Sequence, residues 1–161
     1  MPNETVVKFG YPDTLLAEYE HWVVLVRPKQ VTAGSMVLAC KEDARALGEV
    51  SAGAWEELAR VTRELEAAAR AAFRFDRINY LALMMVDPHV HFHVLPRYAE
   101  ARELDGVVLD DAAWPKAPDI TAAVDLGPEQ VEEIAARLRA NWPLLPPDKR
   151  PWQVGLGRRG K

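Results

Sequence analysis

The rhythm of apolar and polar positions changes several times along the chain. Thr5-Val6-Val7-Lys8-Phe9 is short and β-branched, and predicts a strand ahead of a Gly10-Tyr11-Pro12-Asp13 turn. Leu15 to Tyr19 leads into a second strand, Trp22 to Val26, which Pro28 ends. Lys29 to Gly34 is a connector, and Ser35 to Cys40 is a third strand. Trp22–Val26 and Met36–Ala39 are almost continuously apolar, as in strands covered on both faces.

The period then switches to that of a helix. From Ser51 to Phe73, Trp55, Leu58, Val61, Leu65, Ala68, Ala69 and Ala72 form one stripe, with Ser51 as N-cap. Glu56, Glu57, Arg60, Arg63, Glu64 and Glu66 fall mostly off that stripe and predict a solvated face. Arg77 to Met85 and His89 to Pro96 return to strand character, and Asp87-Pro88 between them predicts a tight antiparallel hairpin. Arg97 to Asp125 is irregular. A second helix begins near Pro128, with Val131, Ile134, Leu138 and Trp142 as its stripe and Pro143 as its stop. Its early Glu129, Glu132 and Glu133 and late Arg137 and Arg139 complement the helix dipole. The order predicts an α+β domain: an antiparallel sheet of about five strands with two main helices. It occupies residues 1–145. The tail, 146–161, is rich in Pro, Gly and basic residues, and its end is expected to be mobile.

Composition adds exclusions. With 161 residues the chain makes one domain and needs no staple. A net charge of -4 argues against a stable nucleic-acid complex or an anionic-membrane partner, though not against a small anionic ligand. Cys40 is the single cysteine, so no intrachain disulfide forms, which suits a reducing cytoplasm. The start of the chain lacks a signal-peptide pattern. The run Tyr80 to Val86 is too short to span a bilayer.

The chemistry concentrates in His89-Val90-His91-Phe92-His93. On a strand these imidazoles share one face, about 6.6–6.8 Å apart. A buried row with no purpose would leave several polar groups needing partners. Two chemical uses compete. His-x-His pairs on strands bind zinc. Alternatively, a neutral imidazole attacks phosphorus while a neighbour protonates the leaving group. That route needs no cofactor. Outside the row, Asp87 either orients a histidine or shapes the turn, and Asn79 is a candidate ligand contact. Met84 and Met85 are expected to pack, Cys40 to be buried, and His21 to begin a strand.

His89-Val90-His91-Phe92-His93-Val94-Leu95, followed by Pro96-Arg97, resembles the signature of the histidine-triad (HIT) superfamily. Leu25 to Leu38 is similar to that family's early pair of strands, and the intervening helix agrees. The resemblance spans roughly Glu18 to Arg97. It implies a nucleotide hydrolase or nucleotidyl transferase working through a covalent nucleotidyl-histidine, in a homodimer. His91 would be the nucleophile, His93 would contact the phosphate and aid the leaving group, and His89 would orient the cluster. Family branches that transfer nucleotides often carry glutamine at the third position, so His93 implies hydrolysis, of a dinucleoside polyphosphate or nucleoside phosphoramidate. Non-catalytic nucleotide binding and a metal enzyme with three histidine ligands are the alternatives.

Some positions depart from the pattern. Ser35 stands where many members have a fourth histidine; it can hydrogen-bond but not titrate near neutrality. Arg27 stands where many carry an Asp or Asn that holds ribose hydroxyls; it suits a phosphate or carboxylate instead. Met84 to Pro88 leads straight into His89, without the family's longer glycine-rich approach.

Overall fold

The protein is described by a computed structural model covering residues 2–143. Residues 144–161, which include the tail expected to be mobile, lie outside the described residues. Five strands form one antiparallel sheet. They are β1 (Leu15–Glu18), β2 (Trp22–Val26), β4 (Met36–Cys40), β5 (Arg77–Leu81) and β6 (His91–Arg97), in the order β1-β2-β4-β6-β5. The two-residue strand β3 (Lys29–Gln30) pairs with β9 (Val124–Asp125), and β7 (Arg102–Leu104) with β8 (Val107–Leu109). The segment expected to be irregular between Arg97 and Asp125 therefore holds a small hairpin and a returning strand.

The two long helices are α2 (Ala52–Phe73) and α3 (Pro128–Ala140). Ser51 caps α2 as its sequence position predicts, with its side chain accepting from the Ala54 amide. Both helices cover one sheet face. Val24, Val26, Met36, Leu38 and Val94 pack there against Val61, Leu65, Ile134 and Leu138. The α2 charge pattern is only partly solvated. Glu64 is buried, because Tyr19 Oη donates to it at 3.1 Å and Arg60 Nε at 2.7 Å. Two charge-assisted bonds offset the desolvation that would otherwise keep a carboxylate outside.

Three sequence expectations need correcting. Thr5 to Phe9 is not a strand: Glu4–Lys8 is a short helix, α1. Asn3 caps it by accepting from the Val6 amide at 3.0 Å, with Glu4 in the first turn and Lys8 in the last. Local capping and burial of Val6 against the sheet override the strand preference of Thr-Val-Val. The link between β5 and β6 is not tight either. They pair antiparallel, but residues 82–90 intervene, because the Val90 backbone is spent on Cys40 and Ala44 instead of on β5. Met84 packs on the core and Met85 is exposed. Finally, β6 begins at His91, so His89 lies outside the strand.

The second sheet face places the site. Val23, Leu25, Val37 and Ala39 line it, and Val6 of α1 packs onto them with Phe9, Tyr11 and Leu15 around the edge. This is why Trp22–Val26 and Met36–Cys40 are buried at every position. Among the described residues, no helix is long and apolar enough to cross a membrane.

Candidate active site

Strand β6 is an interior strand with pairing partners on both sides. Its register puts His91 opposite Ala39 and His93 opposite Val37. Pleating then sends both imidazoles to the α1 face, while Phe92 and Val94 enter the core with α2. The two rings lie 5.1 Å apart at 88°. Phe9 covers them, 5.3 Å from the His91 ring and 5.9 Å from the His93 ring.

His91 Nδ1 lies 2.7 Å from the His89 carbonyl oxygen. A carbonyl only accepts, so Nδ1 carries the hydrogen. In the neutral ring the lone pair is then on Nε2. That atom is buried and has no hydrogen-bond partner. A buried acceptor left unmatched costs about 1–3 kcal/mol, and here the unmatched lone pair is that of His91 Nε2.

His89 is turned away from the other two. Its Nε2 reaches Asp43 Oδ1 at 3.0 Å and therefore donates, leaving Nδ1 to accept from Thr5 Oγ1 at 2.9 Å. The Thr5 hydroxyl also accepts from the His89 amide at 3.3 Å. With both His89 nitrogens occupied, the three imidazoles do not converge as a ligand set. The described residues contain no group of three or more His, Cys, Asp or Glu side chains able to hold a metal ion.

His93 is pushed down to about 4, chiefly by burial, then by Arg27 and His91, with Asp87 pulling the other way. Its Nδ1 is buried without a partner, as is Nη1 of Arg27. Arg27 follows β2 on the same face, and its amide donates to the Ser35 carbonyl at 3.0 Å. Asp87 pairs with Lys8 of α1, which ties the segment before His89 to that helix. Arg27, Asp87 and His93 are thus brought together.

The other candidates are placed differently. Ser35 Oγ donates to the Thr32 carbonyl at 2.7 Å and accepts from the Val31 and Thr32 amides at 3.1 and 3.0 Å. Its hydroxyl closes a turn and is not free to meet a ligand. Asn79 stands opposite Leu95, one same-face step beyond His93, and its Oδ1 accepts from Arg97 at 2.8 Å. The same arginine makes a two-bond ion pair with Asp111 at 2.7 and 3.0 Å. Sequence reasoning missed Thr5, Asp43, Lys8 and Phe9. None has a spacing that points to the histidines; only tertiary packing joins them.

A five-stranded antiparallel sheet, backed by two helices and carrying paired imidazoles on its other face, defines a histidine-triad α+β domain. The chain belongs to the HIT domain family, whose model matches residues 10–100. A histidine triad protein from Bradyrhizobium japonicum superposes with a TM-score of 0.68 at 17% identity, covering 88% of this chain and 97% of its own. A histidine triad protein from Sinorhizobium meliloti gives 0.66 at 18%, covering 88% and 96%. One from Marinobacter aquaeolei gives 0.62 at 20%, covering 88% and 95%. No curated protein matches.

Proposed function

We propose that this protein is a nucleotide phosphohydrolase that acts through a covalent nucleotidyl-histidine on His91. The observation that carries the reading is the His91–His89 hydrogen bond, which directs the lone pair to an unpartnered Nε2. That lone pair attacks phosphorus and forms a P–N bond. The bond from phosphorus to the leaving oxygen or nitrogen breaks, and the leaving group takes the electron pair and a proton. Water then attacks phosphorus, the P–N bond breaks, and a nucleoside monophosphate is released.

His93 stays neutral at pH 7 in the free protein, so it first serves as a hydrogen-bond donor to the phosphoryl oxygens. The arriving phosphate charge raises its proton affinity and fits it to assist the leaving group. His89 positions His91 through its carbonyl. The substrate class in this reading is a dinucleoside polyphosphate or a nucleoside phosphoramidate, handled by a cytoplasmic homodimer. Buried Cys40 is consistent with that compartment.

The test is acid-quenched mass spectrometry after mixing with a panel of these compounds. A nucleotide adduct on His91, absent from His91→Ala, is the expected result. A second reading is nucleotide binding without turnover. It draws on the burial of His91 Nε2 beneath Phe9. Binding with neither adduct nor product would favour it.

A further inference from the structure

Phe9, which covers the imidazoles, also lines a cavity of about 420 Å³ together with Lys8, Gly10, Arg27, Pro28 and Lys29. Three of the six are cations and none is acidic, in a chain of net charge -4. Lys8 is paired with Asp87. Arg27 is not matched in this way: Nη1 is buried with no partner, and burial alone lowers its affinity for the proton, with no carboxylate offsetting the cost. A buried guanidinium donor without an acceptor is expensive, and phosphate is the acceptor whose geometry and charge suit it.

The backbone fixes where this cation stands. Leu25, Val37 and His93 form one row across β2, β4 and β6. Arg27 is one same-face step beyond Leu25, about 6.7 Å along the strand and about 10 Å across from β6. At that separation its charge still acts on His93 and disfavours the protonated imidazole. Two further contacts set its backbone. Gln30 Nε2 donates to the Arg27 carbonyl at 2.5 Å, and the Arg27 amide donates to Ser35. Gln30 is itself fully buried, its Oε1 accepting from the Gly34 and Ser35 amides at 2.8 and 3.0 Å.

We propose that the Arg27 cavity, with Lys8 and Lys29 at its margin, is a second phosphate subsite, so that the ligand carries a phosphate besides the one facing His91. This rests on the nucleotide reading of the His91 site and names a further feature of its substrate. The second phosphate has two sources: the polyphosphate chain, or the ribose.

Calorimetric titration of the full chain with AMP, ADP, adenosine 3′,5′-bisphosphate and inorganic pyrophosphate tests this. One doubly phosphorylated nucleotide binds about tenfold or more tighter than AMP, and Arg27→Gln weakens that nucleotide far more than it weakens AMP, which removes the preference. ADP as the preferred ligand identifies a chain phosphate; the bisphosphate identifies a ribose phosphate. Arg27→Lys restores part of the preference. Equal affinity for AMP and both doubly phosphorylated nucleotides overturns the subsite and leaves the nucleotide reading standing. A uniform loss in Arg27→Gln does the same. Pyrophosphate binding that depends on Arg27, with no nucleotide bound, upholds the subsite and overturns the nucleotide reading. No binding of any probe overturns both.

Discussion

The carbonyl of His89, not its ring, is what His91 uses: Nδ1 of His91 donates to that oxygen at 2.7 Å. The first histidine of the row keeps its imidazole busy with Thr5 and Asp43, and so holds its own backbone in place. His89→Ala should therefore leave the carbonyl present but loosely held. Turnover of a nucleoside phosphoramidate should fall by roughly 10–100-fold, against about a thousandfold or more for His91→Ala. Equal losses in the two variants, with both folded by circular dichroism, would rule out this division of labour.

Stability should depend on pH through His93. Its folded value is about 4 against an ordinary 6.5, so the unfolded chain binds more protons between those limits. The sign follows: this contribution is complete above pH 6.5 and is lost as pH falls toward 4, costing about 1–2 kcal/mol. Urea midpoints measured across that range should decline for the wild type and decline less for His93→Asn. Parallel curves would remove His93 as the source.

Phe9 should govern chemical access to His91. Its ring lies 5.3 Å from the imidazole, and Nε2 is buried. Diethyl pyrocarbonate should modify the partly exposed His21 early and His91 slowly, by peptide mass analysis. Phe9→Ala should speed labelling of His91 by roughly an order of magnitude. An unchanged rate would show that another group occludes the nitrogen.

Ser35→Ala should act on stability. Removing the hydroxyl strips the Val31 and Thr32 amides of their acceptor, at a cost of about 1–3 kcal/mol. Thermal unfolding checks this. A variant of wild-type stability with weakened nucleotide affinity would instead make Ser35 a ligand contact.

Asp111→Ala should be among the most damaging changes away from the histidines. It leaves Arg97 charged and buried without its partner, at about 3–5 kcal/mol. Replacing both residues with apolar side chains should recover part of the loss. If the double variant is as unstable as the single one, the uncompensated charge is not the cause.

Sequence by itself determined the parts of this protein that follow from period and local chemistry. The continuous apolar runs at Trp22 and Met36 specify strands buried on both faces. The 3.6-residue stripe behind Ser51 specifies the long helix, and alternation in His91-Phe92-His93 specifies which rings share a face. The same alternation misplaces His89, because it assumes a strand that extends back to that residue. What stopped the strand is tertiary: Val90 hydrogen-bonds to Cys40 and Ala44, and Thr5 and Asp43 hold the His89 ring. Likewise, Thr5 to Phe9 carries a strand-like composition, yet Asn3 caps it into a helix that seats Val6 on the sheet and Phe9 over the imidazoles. Ser35 looked available for a ligand because a sequence does not show which hydrogen bonds are already spent. Arg27 is the converse: only the fold shows that a half-buried cation on the face of the histidines keeps one buried donor, Nη1, unmatched. Local pattern decides which side chains point together; long-range packing decides which of them remain free to react.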